Sequence, residues 1–250
     1  FSANAFSRMM FGLGLMKHLP SAEFLRLAER RTAELMPGIS GQQLASILLC
    51  WGHVQYAPQA GTWEAILDRV SRVRTQCNSK EICIIMWALT KLGAPVGPAD
   101  LRSLEQSLCD SGRLQGVPLQ GLKQLLESFV ASGSRPTDAL LDLIEYEIVD
   151  KLRPDLIHLQ GHDLSFILSC YAKMGSRPGS DFLHSMFDDV FENVASYSPR
   201  AVGVLLWSLG TLKVAPESEV LRSLERHFRA HHRKYSALDL ASFIWGAAKL

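Results

Sequence analysis

No run of eighteen apolar residues occurs anywhere in this chain, so no segment has the length and hydropathy of a transmembrane helix. Cysteine is scarce. Cys50, Cys77, Cys83, Cys109 and Cys170 share no C-x-x-C spacing and lack the density of a secreted disulfide scaffold, which points to a reducing compartment. Net charge is also small, at +1 over 250 residues. That argues against an obligate non-specific polyanion binder and leaves room for a local basic face.

Catalytic signatures are missing as well. There is no P-loop, no G-x-S-x-G and no H-E-x-x-H. His227 and His231 stand four apart, a spacing suited to a metal, but their neighbours are cations rather than thiolates or carboxylates. His53, His158, His162 and His184 are scattered without a nucleophile beside them. No metal, cofactor, small-molecule substrate or enzymatic activity is therefore expected. "EYE" (145–147) and "FDDVFE" (187–192) read as solvated acidic faces. Alternation of apolar and polar residues, the mark of a strand, is absent too.

What is present is repetition. "IMWALTKLGAP" (85–95) returns as "FIWGAAKL" (243–250), "VLLWSLGTLKVAP" (204–216) and "FILSCYAKMGSRP" (166–178). The apolar residue five before the Trp serves as an anchor: Phe6, Leu44, Ile82, Leu122, Leu164, Val202 and Leu240, separated by 38, 38, 40, 42, 38 and 38 residues. Apolar residues recur three, four and seven after each anchor, forming one stripe of an α-helix. Six after it the residue is always small, including Cys50 and Cys170. A small side chain there lets a neighbouring backbone come close.

Boundaries repeat with the stripe. Ser2, Ser40, Asn78, Ser198 and Ser236 lie four before their anchors as N-caps, and Gln43, Glu81 and Asp239 complete capping boxes. One residue earlier stands an apolar side chain, from Phe1 to Tyr235, placed to staple onto the anchor. Pro199 takes the first helical position. Prolines 13 or 14 after six anchors end the first helix, and a second amphipathic helix follows, as in "SEVLRSLERHFRAHH" (218–232). The fold class is thus all-α: a solenoid of six to seven helix-turn-helix repeats of 38–42 residues, read as a single array over 1–250. Since the chain starts at Phe1 and stops inside a helical pattern, an excerpt truncated at both ends is expected.

The repeats resemble the octotricopeptide and heptatricopeptide repeats of organellar RNA-binding proteins, relatives of the RAP proteins. The resemblance is carried best by "SKEICIIMWALTKLGAPVGPADL" (79–101), "SPRAVGVLLWSLGTLKVAPESEVL" (198–221) and "SALDLASFIWGAAKL" (236–250). It is weak in "PLQGLKQLLESFVASGSRPTDALL" (118–141), where Glu127 replaces the Trp. It implies single-stranded or ribosomal RNA as partner, alongside other proteins of a ribonucleoprotein such as the mitoribosome, in a mitochondrion or alternatively a chloroplast. Transcript maturation, stability or translation is the implied role, and some members carry a C-terminal RAP domain.

Two surfaces could meet RNA. Off the apolar stripe, Trp87 with Lys91 and Trp245 with Lys249 stand one turn apart, and Lys173 occupies the same place after Ser169. Such a pair can stack a base and hold its phosphate; equally, the Trp can pack on the next repeat while the Lys snorkels to water. The second surface is a ridge at the ends of the second helices: Arg30 and Arg31; Arg69, Arg72 and Arg74; Arg113; Lys151 and Arg153; then Arg226, Arg229, Arg233 and Lys234. Asp188, Asp189 and Glu192 interrupt it. Helix dipoles favour cations at C-termini whatever the function, yet "RHFRAHHRK" (226–234) exceeds that need. A protein-binding scaffold of the HEAT or armadillo kind is the competing reading, and an enzyme with its catalytic domain outside this chain is a third.

Overall fold

A computed structural model describes residues 2–16, 20–111, 114–152 and 160–250, with the backbone alone at 111, 151 and 152. Among these residues the chain forms thirteen α-helices and no strand. The first helices of the repeats are α1 (Ala3–Leu15), α3 (Gly41–Val54), α5 (Ser79–Lys91), α7 (Leu119–Ser132), α9 (Gly161–Met174), α11 (Pro199–Leu212) and α13 (Ala237–Lys249). The second helices are α2 (Ala22–Leu35), α4 (Ala60–Val73), α6 (Pro98–Ser111), α8 (Asp138–Leu152), α10 (Ser180–Asn193) and α12 (Ser218–His231). The all-α solenoid class follows directly. Packing divides the chain into two compact units, Phe1–Ser134 and Arg135–Leu250. The repeat register runs through both.

The local signals act as their chemistry requires. Ser2, Ser40, Asn78, Ser198 and Ser236 each accept a hydrogen bond from the backbone N–H three residues on. Gln43, Glu81 and Asp239 return the bond and close three capping boxes. Each described first helix from α3 to α11 ends eleven residues after its anchor in a left-handed residue: Gln55, Gly93, Gly133, Gly175 and Lys213. The next N–H then bonds back to the carbonyl five residues earlier, as Tyr56 does to Trp51 and Val214 to Leu209. This cap ties off a carbonyl that the helix leaves unpaired.

In the first unit α1, α3, α5 and α7 pack each on the next; in the second, α9, α11 and α13 do so. The stripe is their core. Leu44, Ile82, Leu122, Leu164 and Val202 are buried, with the residues three, four and seven beyond them. Backbones come very close. A Cβ built on Gly14 would lie 2.9 Å from Cys50 Cα, and one on Gly246 would lie 2.3 Å from the Leu206 carbonyl oxygen. The small residue six after the anchor is therefore half of a close contact: Cys50 meets Gly14, and Gly246 meets Gly210 as well as Leu206, the two glycines Gly14 and Gly210 standing eight after the previous anchor. The apolar residue before the N-cap does more than staple its own helix. Cys77 lies over Gly41 and Tyr197 over Gly161, where a Cβ would meet them at 2.2 and 2.3 Å.

The second helices bury one apolar face each, as Trp63, Ile66 and Val70 of α4 do, and carry polar clasps in addition. Arg69 donates through Nε to the Ile39 carbonyl at 2.7 Å, and His227 Nε2–H donates to the Tyr197 carbonyl at 2.9 Å. Both side chains stand 25 after their anchors. Two carboxylates bridge consecutive second helices. Glu29 of α2 accepts from the Gln59 N–H and the Thr62 hydroxyl at the start of α4, each at 2.7 Å, and from the Tyr56 hydroxyl in the turn before it. Glu145 of α8 accepts from the Gly179 N–H at 3.0 Å, at the start of α10. Neither Gln59 nor Gly179 caps its helix with a side chain, so the neighbour's carboxylate supplies the acceptor.

Candidate nucleic-acid interface

Trp87 does not present a free ring. It is buried, and its Nε1–H donates to Glu127 at 2.9 Å. The Lys91 ammonium reaches the other oxygen of the same carboxylate at 3.3 Å. Glu127, which stands where the next repeat's Trp would be, thus takes both members of the pair, and base stacking on Trp87 is excluded by its burial. The His53 ring lies over the indole, 5.2 Å between centroids. A groove of about 350 Å³ across α1, α3 and α5 is lined by Phe11, Leu49 and Ile84 together with Arg8, Gln42 and Lys80. In the second unit Trp207 is half-buried and Trp245 exposed, with the Lys249 ammonium 5.7 Å from its ring. Lys173 is exposed and has no partner among the described residues.

The cations of the second helices fall into two groups. Several are compensated locally: Arg31 by Glu34 at 2.6 Å, Arg72 by Asp68 at 2.9 Å and Arg229 by Glu225 at 2.6 Å. Arg74 donates to the Ser71 carbonyl at 2.6 Å, and Arg69 is committed to Ile39. Exposed ion pairs of this kind add little stability, about 0–1 kcal/mol, and can open toward a polyanion. Arg30, Arg233 and Lys234 are exposed and unpaired among the described residues. Arg113, Arg153 and the Lys151 side chain lie outside the described residues.

One groove gathers what the ridge scattered. Along α12, Arg222, Arg226 and Arg229 line a cleft of about 370 Å³ together with Glu219, Glu225 and Phe191 of α10. Arg222 reaches only its own helix, the Ser218 carbonyl at 3.2 Å and hydroxyl at 3.1 Å. Arg226 donates to the buried Ser223 hydroxyl at 3.0 Å. Neither has a carboxylate partner among the described residues. Phe191 is 46% exposed, an apolar ring held open to water beside three guanidinium groups. Sequence reasoning found Arg226 and Arg229 but missed Arg222 and Phe191. The spacing 222, 226, 229 on one helix stripe was the available signal.

The remaining titratable groups look structural. His227 is buried between Tyr235 and Tyr197. Because a carbonyl only accepts, its Nε2 carries the proton and its Nδ1 accepts from the Tyr235 hydroxyl at 3.0 Å. Burial, with the His231 ring alongside, holds its pKa below the ordinary 6.5. Burial pushes the Cys50 and Cys77 thiols up to about 11 and the Cys83 thiol up to about 12, so none is a thiolate near neutral pH.

Residues 128–250 match the sequence profile of a family described as the Tbc2 translation factor, N-terminal domain. No curated protein matches the chain. The matched segment is just under half of the chain and contains the whole second compact unit, including the arginine groove. That unit is therefore similar in sequence to a domain of a translation factor.

Proposed function

We propose that this chain is a non-enzymatic RNA-binding helical-repeat protein acting in organellar translation or transcript maturation. The mitochondrion is the first choice of compartment and the chloroplast the second; a ribonucleoprotein such as the mitoribosome is the natural setting. The observation that carries the reading is the arginine groove on α12, continued by Arg233 and Lys234, exposed and unpaired among the described residues, within the segment similar to a translation-factor domain. Phosphate binding by such cations releases counterions and needs no further chemistry. The resemblance to octotricopeptide repeats supports the organelle. Exposed acids on the neighbouring second helices, Asp138 and Asp142 on α8 with Asp181, Asp188 and Glu192 on α10, repel phosphates and suit basic proteins of the same assembly.

Binding of a labelled single-stranded RNA, titrated against salt, tests the reading. Affinity is expected to fall steeply as salt rises, and Arg233→Gln with Lys234→Gln to flatten the slope by about one to two. An affinity indifferent to salt, or a bound partner that survives nuclease treatment, would favour the protein-binding scaffold.

A further inference from the structure

We propose that the cleft between α10 and α12 is a subsite for one nucleotide of a single RNA strand. Its base would stack on Phe191, and Arg222 and Arg226 would hold the adjoining phosphate. The proposal rests on the RNA reading above and adds to it the place and the mode of contact.

Four features lead there. First, the cleft is polarised. Its α12 wall carries Arg222, Arg226 and Arg229 with Glu219 and Glu225, three cations against two acids, while its α10 wall is the exposed Phe191 ring. A ligand must therefore be anionic at one end and flat and uncharged at the other. A nucleotide has that division; an acidic peptide, with carboxylates spread along its length, has no flat uncharged part to set on the Phe191 ring.

Second, the two guanidinium groups are placed without being neutralised. Arg222 rests on Ser218 and Arg226 on Ser223, neutral groups of their own helix, so turning to a phosphate breaks no ion pair. Arg229 is different, because Glu225 holds it at 2.6 Å. Third, Glu219 lines the same cleft, and among the described residues its carboxylate accepts no hydrogen bond. Its carboxylate is an acceptor for a ribose hydroxyl or an exocyclic amine, which a phosphate-only site would not want. Fourth, the volume of about 370 Å³ falls within the range, about 300–1,000 Å³, of sites that take small organic groups.

The experiment is fluorescence anisotropy of the full chain with a labelled oligoadenylate of about twelve nucleotides, a length suited to single-strand binding sites. Phe191→Ala is expected to weaken binding about tenfold, in line with losing one stacked base, and Phe191→Trp to retain it. Arg222→Gln with Arg226→Gln should weaken it by about as much and reduce the salt slope by about one. All three side chains are exposed, and unchanged melting curves will show that the variants fold.

If the wild type binds RNA and the three variants bind equally well, the subsite is wrong and the RNA reading stands. Loss with the arginine pair but not with Phe191→Ala makes the cleft a phosphate contact without a base, which also overturns the proposal. A wild type that binds no RNA at any salt, or a labelled oligoglutamate that binds in its place, overturns both.

Discussion

The two rows of helices solve the same packing problem by different means. The odd-numbered helices touch their neighbours through glycine, cysteine, serine and the apolar stripe, with backbones near the limit of approach. The even-numbered helices are joined by directed polar clasps and keep a charged outer side: Glu29 on the start of α4, Glu145 on the start of α10, Arg69 on Ile39 and His227 on Tyr197. Close apolar packing tolerates few substitutions, because cavity and strain terms are large. The second helices bury only one face, and their outer side is free to vary. That is why the basic and acidic patches lie on the second helices, and why α10 and α12 carry opposite charge on one scaffold.

The sharpest way to break this contrast is to empty the first row. Leu164 is fully buried in the stripe of α9. Leu164→Ala should cost about 3 kcal/mol of unfolding free energy in urea titration, within the range for buried leucine. Leu221→Ala, on the exposed side of α12, should change it by less than about 0.5 kcal/mol. Equal losses at the two positions would mean that the rows do not differ as their packing indicates.

The clasps should come next. Glu29 and Glu145 stand at the same place in their repeats, 23 after the anchor, yet their environments differ. Burial works to raise the Glu29 pKa, but hydrogen bonds from Tyr56, the Gln59 N–H and Thr62 outweigh it and leave it lowered. At Glu145 burial, helped by the charge of Asp142, wins over the Gly179 N–H and the Tyr171 hydroxyl, and the pKa is raised. Glu29→Gln should therefore cost about 1–3 kcal/mol, since three donors lose a charged acceptor, and Glu145→Gln clearly less. A depressed carboxyl contributes stability above its unfolded value of about 4.5 and loses it as pH falls through the folded pKa. The acid arm of the stability curve should accordingly flatten in Glu29→Gln.

His227 gives a smaller effect at higher pH. Its folded pKa lies below 6.5, so the unfolded chain takes up the proton first. Stability from this group is complete above about 6.5 and declines as pH falls below that, toward the folded pKa. The facing groups are Tyr197, Tyr235 and His231. Thermal melts of the wild type and of His227→Gln between pH 7.5 and 5.5 should converge as pH drops. Parallel curves would show that the ring is not neutral in the folded state.

The repeat itself was legible because its signals are local. The stripe, the caps at Ser40 and Asn78 and the prolines all act within one helix or turn. What stayed hidden spans a full repeat, where chemically unlike residues do equivalent work. Arg69 and His227 hold corresponding carbonyls, and Glu29, Glu105, Glu145 and Glu225 share one register position, with Leu67 and Phe187 between them. The arginine groove was half visible: α12 shows its charge in sequence, but Phe191 belongs to another helix and its exposure follows from packing. Trp87 misled for the same reason, since Glu127, forty residues on, decides what its indole does.

The smallest predicted effect lies in the turns, where the first row hands over to the second. Five of these turns place a left-handed residue eleven after the anchor, and three of them use glycine: Gly93, Gly133 and Gly175. Gln55 and Lys213 adopt the same conformation at φ 56° and 54° with a Cβ that crowds the backbone. The conformation costs such residues roughly 1–2 kcal/mol, and glycine gives part of that back through its freer unfolded state. Lys213→Gly should therefore stabilise the chain by about 0.5–1 kcal/mol, read as a raised urea midpoint with unchanged slope. The Lys213 side chain has no partner among the described residues, so nothing is lost in exchange. The mirror change, Gly175→Lys, should destabilise by a similar amount. If Lys213→Gly lowers the midpoint instead, the turns are held by side-chain contacts rather than by the backbone cap from Val214 to Leu209.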